Sequence, residues 1–201
     1  MSKNRGFTLL ELVIAMGIFI GVAFFIVVLS RRVFDTTLEF SSSLTTQQQI
    51  QQTLQVMVPE IRSMAQSNTG GYPVEEASTS TLIFYSDIDF DGVFERIRYS
   101  LSDGVFIRGV VEPTGNPLVY STSTEVTREL VYNIIEGVDV FSYYSSGVTS
   151  TEELPLIHPV DIQLIRMIRV DLIANQGSIT NPSIVGGQEQ VTIRNLRYID
   201  N

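Results

Sequence analysis

Acidic residues at alternate positions form the best-spaced chemical pattern in this sequence: Asp87-x-Asp89-x-Asp91-Gly92, with Glu95 close behind. Alternate positions on a tight turn aim carboxylates inward, and calcium takes several such hard oxygens. Val93 can add its carbonyl, and Glu95 stands at the ninth position of such a loop. The twelfth, where a bidentate glutamate belongs, is Arg98. The spacing leaves two readings: calcium held by Asp87, Asp89, Asp91 and Glu95, or a solvent-exposed β-turn built on Asp91-Gly92.

The remaining titratable residues form weaker patterns. His158, the single histidine, precedes Pro159 near Asp161 and reads as structural. Glu75-Glu76 and Glu152-Glu153 lie in polar stretches and read as solvated surface. Arg96, Arg98, Arg108, Arg166, Arg169, Arg194 and Arg197 alternate with apolar residues and read as the polar face of a sheet. No phosphate loop, dinucleotide fingerprint or nucleophile elbow is present. With no cysteine, disulfides, thiol catalysis and thiolate metal sites are excluded. A net charge of −9, from 13 basic and 22 acidic residues, disfavours a non-specific nucleic-acid binder. No catalytic residue is assigned, and the chain reads as non-enzymatic.

One acid stands apart. Glu11 is the only charge in an apolar stretch from Phe7 to Leu29, which follows the short cationic opening Met1-Ser2-Lys3-Asn4-Arg5-Gly6. As a helix this stretch spans roughly 34 Å, enough to cross a bilayer core. It is too long for the apolar core of a secretory signal, and Ser30-Arg31-Arg32 is no cleavage site for one. Arg31 and Arg32 close it as interfacial anchors. A carboxylate at the centre of a membrane helix costs about 2.5–3.5 kcal/mol, and less near the boundary, so a functional reason for Glu11 is expected.

The run Gly6-Phe7-Thr8-Leu9-Leu10-Glu11-Leu12 resembles the class III signal of type IV pilins and type II secretion pseudopilins. The resemblance implies that a prepilin peptidase cuts after Gly6 and that the new amino terminus, on Phe7, is methylated. It implies that Glu11 pairs with the freed amine of a neighbouring subunit. Two charges that are costly alone then neutralise each other in low dielectric. Other implied partners are sister pilin or pseudopilin subunits, the inner-membrane assembly platform and membrane lipid. The precursor would sit in the cytoplasmic membrane with its head outside and then enter a pilus or pseudopilus. Loss of the leader removes Lys3, the only lysine, so a lysine-linked covalent pilus is disfavoured.

Beyond Arg32 the chain stays helix-compatible to about Ser67. Ile50, Leu54, Met57, Val58, Ile61, Met64 and Ala65 form one apolar stripe at three- and four-residue steps. Pro59 is expected to kink this helix or start a new one. Residues 41–52, rich in Ser, Thr and Gln, read as a solvated helical face. From Thr81 the pattern turns to strands: 81–86, 93–101, 105–111, 138–144, 162–174 and 190–196, with 130–135 a short helix or strand. Strands in succession with short links predict an antiparallel sheet. The expected fold is α+β and pilin-like, a long N-terminal helix with its first half in the membrane, packed on one β-sheet. The expected divisions are a leader at 1–6, a membrane and assembly helix at 7–30, the soluble half of the helix at 31–68, and a β-rich head at 69–201.

Three segments, 87–99, 137–144 and 191–197, resemble those of minor pilins of the PilW and GspJ type, and the head is large for a major pilin. The resemblance therefore implies a minor subunit that primes or caps a filament. A major filament-forming pilin and a membrane-tethered binding domain that never polymerises stay open as alternatives.

Overall fold

The computed structural model describes residues 9–145, 154–176 and 183–193, with residues 31–43 described by backbone alone. The chain divides into two compact units, Met1–Ser42 and Ser43–Asn201. The first unit holds the opening turns of helix α1 (Leu9–Arg62). Within it, Leu9–Ser30 has a mean hydropathy of 3.1 and no buried residue, long and apolar enough to cross a membrane.

In the second unit the last turns of α1 carry the predicted stripe. Ile50, Leu54, Met57 and Ile61 are buried, as is Met64 just beyond the helix, while Val58 and Ala65 are half-buried at its margin. No new helix starts at Pro59, because the helix runs on to Arg62. Pro59 is in the last turn on the exposed side, where its ring meets solvent and its carbonyl still accepts the Ser63 amide at 2.9 Å. The helix ends at Arg62 rather than near Ser67. Ser67 instead closes a turn, its hydroxyl accepting the Gly71 amide at 2.7 Å, with Gly70 at φ 87°.

The expected single antiparallel sheet is two. The first has β1 (Val74–Ala77), β2 (Thr81–Ser86), β3 (Glu95–Ser102), β4 (Val105–Val111) and β5 (Val126–Val131), in that order. The second has β6 (Phe141–Tyr144), β7 (Met167–Asn175) and β8 (Ile184–Thr192). The chain leaves the first sheet where Asn133 and Gly137 take positive φ, which breaks strand geometry. Residues 162–174 split for a local reason. The Asp161 side chain accepts the Gln163 amide and caps a 3-10 turn at Ile162–Leu164, and β7 begins only after it.

Alternation on the strands builds one core. Phe84, Tyr99 and Phe106 share a face of the first sheet and stack, with ring centroids 6.2 and 5.8 Å apart. Phe106 then meets Phe141 of β6 at 6.2 Å, joining the two sheets. On β7, Ile168, Val170, Leu172 and Ala174 are all buried at every second position. The helix stripe closes over the second sheet at Gly187 of β8. A Cβ there would lie 2.8 Å from Ile50 and 2.9 Å from Leu54, so only glycine lets the helix this close.

Candidate functional site

Two places are candidates for functional chemistry, the N-terminal segment and the acidic turn. Gly6 and Phe7 lie outside the described residues. Glu11 is an exposed residue of α1, close to the first described position. Behind it the helix shows apolar side chains on every side: Leu12 is 56% exposed, Phe19 75% and Phe24 70%. A helix apolar all round has to be covered by lipid or by other helices.

The acidic turn links β2 to β3. Phe90 at φ 64° and Gly92 at φ 87° reverse the chain. Its carboxylates are partly used by the turn itself. Asp89 accepts the Asp91 amide at 3.3 Å, Asp87 Oδ2 accepts the Gly92 amide at 3.1 Å, and Asp91 accepts the Val93 amide at 2.7 Å. Glu95 is buried and accepts the Ile88 amide at 2.9 Å. Carboxylate oxygens of Asp87, Asp89 and Glu95 come within 4.8 Å of one another. Asp87 Oδ1 is buried with no hydrogen-bond partner among the described residues. Burial, first, and the charges of Asp89 and Asp87 push the Glu95 carboxyl above its ordinary value, against the Ile88 hydrogen bond that lowers it. Hard oxygens with an orphaned buried acceptor fit an oxygen-seeking divalent cation. Of the four predicted ligands, Asp87, Asp89 and Glu95 are brought together, while Asp91 shapes the turn through Val93.

The other predicted features fall as follows. His158 is exposed, with its ring edge against Tyr143 at 5.8 Å. Glu152-Glu153, Arg194 and Arg197 lie outside the described residues. Glu75 is not simply solvated surface. It accepts from Arg96 at 2.7 Å and from the Tyr85 hydroxyl at 2.6 Å. Arg96 and Arg98 do occupy the polar face, Arg98 pairing with Glu125 at 2.8 Å.

Arg108 overturns its reading. It shares the inner face with Tyr99, its register partner, and both bind the buried Glu60 of α1, Tyr99 at 2.7 Å and Arg108 at 2.5 Å. The sequence signals were present. Glu60 sits three positions after Met57 on the apolar stripe, and Arg108 lies between Phe106 and Val110 at a two-residue period.

Residues 1–20 match the family model of the prokaryotic N-terminal methylation motif. That motif is the hallmark of type IV pilins and pseudopilins, and the helix and antiparallel sheets behind it form an α+β, pilin-like architecture. No curated protein and no solved structure among those compared matches the chain.

Proposed function

We propose that this chain is a non-enzymatic subunit of a type IV pilus or a type II secretion pseudopilus. A prepilin peptidase cuts between Gly6 and Phe7, the Phe7 amine is methylated, and the trimmed chain waits in the cytoplasmic membrane with its head outside. Assembly draws it into a filament through helix α1. The observation that carries this reading is the methylation motif at residues 1–20, which runs into a helical stretch, Leu9–Ser30, with no buried residue and with Glu11 as its one charge. In a stack of such helices the freed amine of one subunit can meet Glu11 of the next, and the pair neutralises in low dielectric. A minor role, priming or capping, is supported by the size of the head and the lack of a cysteine pair. Glu11→Ala is the test: processing stays normal and incorporation into sheared filaments falls severalfold. Normal incorporation of that variant contradicts the reading.

Calcium at the β2–β3 turn is a second proposal, favoured by the orphaned Asp87 Oδ1. Asp87, Asp89 and Glu95 would hold the ion, which would cancel their mutual repulsion and pin the turn. Calorimetric titration of the full chain in detergent with calcium gives a binding heat that Asp87→Asn removes. A flat titration of the unaltered chain sinks the idea.

A further inference from the structure

Among the described residues β5 is an edge of the first sheet, hydrogen-bonded to β4 on one side only. Its free side is open: Val126 is 73% exposed, and Thr127, Arg128 and Glu129 are exposed too. Two cavities run along it. One of about 530 Å³ lies between β5 and α1, walled by Gln52, Val56 and Tyr132. The other, of about 440 Å³, is walled by Ile88, Val110 and Val126. Arg108 and Arg128 line both.

The charges along this edge are uneven. Arg108 and Arg128 are direct register partners on the inner face, and like charges set opposite each other repel. Arg108 is answered by Glu60. The Arg128 side chain has no ion pair or hydrogen bond among the described residues. An anionic group in the groove would complete it, and a charge-assisted bond to a guanidinium is among the stronger polar contacts.

A second copy does not fit. In the two regular antiparallel registers of greatest overlap, β5 against β5 sets Arg128 opposite Arg128 or Glu129 opposite Glu129. We infer that β5 accepts, as an added strand, an extended segment of a different subunit of the same filament. That segment carries a carboxylate opposite Arg128 and apolar side chains over Val110 and Val126. Main-chain hydrogen bonds to the open edge supply affinity, and the carboxylate supplies register and choice of partner.

This inference rests on the assembly reading above, and one experiment separates the two. The chain has no cysteine, so Thr127→Cys gives a single attachment point beside the open edge for a benzophenone in filament-bearing cells of the native host. Mass spectrometry of the photo-adduct then identifies the joined peptide. The expected adduct lies on an acidic segment of another subunit bearing the methylation motif. It falls at least about fivefold in Arg128→Glu, as loss of about 1 kcal/mol requires, and persists in Arg128→Lys. Hydrogen exchange of β3 and β4 in detergent checks that Arg128→Glu is folded, and Arg128→Gln replaces it if it is not. An adduct on β5 of a second copy, an adduct indifferent to Arg128→Glu, or intact filaments with no adduct overturns the inference and leaves assembly standing. A chain that enters no filament at all overturns both.

Discussion

Glu60 is a carboxylate carried into the core on an apolar stripe, and its neighbours determine what that costs. Removing the cation from a buried pair leaves an uncompensated charge, which costs about 3–5 kcal/mol. Arg108→Met is therefore expected to destabilise the head by about that much, and Tyr99→Phe by about 1–3 kcal/mol for one lost hydrogen bond. Denaturant unfolding of the full chain in detergent, followed by tyrosine fluorescence, measures both. Equal small effects would contradict a Glu60 held in the core by both partners. Two other acids predict opposite pH slopes. Hydrogen bonding to Arg96, foremost, holds the Glu75 carboxyl below the ordinary glutamate value, against the pull of burial. Its stabilisation is present above that ordinary value and is lost as pH falls through the depressed folded value. Burial holds Glu95 above the ordinary value, so its folded state keeps a proton more tightly and stability falls as pH rises through that window. In melting curves across the carboxylate range, Glu75→Gln removes the acid-side loss and Glu95→Gln removes the decline on the rising side. Neither acid could be ranked from sequence. Glu75 looks like surface until the fold brings the Arg96 and Tyr85 side chains to it.

At the scale of elements, the helix stripe and the hairpin β3–β4 were legible because their periods are clean. The stripe repeats at three and four residues, and Ser102-Asp103-Gly104 punctuates two strongly alternating strands. Of β8 only the end was legible, where the expected strand 190–196 overlaps it at 190–192, because Gly186 and Gly187 dilute the pattern where the helix crosses it. The crossing makes a prediction. Gly187→Ala puts a Cβ against Ile50 and Leu54 in a packed core, and overpacking of that kind costs about 1–3 kcal/mol. Leu54→Ala removes the Cδ1 atom that the new methyl meets, so the double variant should lose less than the sum of the two single losses. Unfolding midpoints of the single and double variants test the contact, and strictly additive losses would contradict it. Gly109 differs. A Cβ there meets the carboxylate end of Glu125, a flexible tip that can swing away, so Gly109→Ala mainly weakens the Arg98–Glu125 pair. β1 escaped notice for another reason: two of its four residues are glutamates, and an edge strand carries polar residues readily.

At the scale of the whole molecule, the sequence separates sharply into a readable end and a less readable head. The methylation-type motif is local, so seven consecutive residues suffice to suggest it. The division of the strands into two sheets depends on long-range register and on backbone breaks at Asn133 and Gly137, which no local pattern encodes. The acidic turn lies between these extremes: its spacing is local, yet which acids converge depends on the hairpin that carries them. The proposed assembly role rests on the N-terminal segment being processed. The most direct measurement is the intact mass of the protein purified from membranes or filaments of its native host. The account predicts a chain that begins at Phe7, lacks Met1 to Gly6 and carries one added methyl group. A chain that keeps its first six residues in a host with a working peptidase would contradict it.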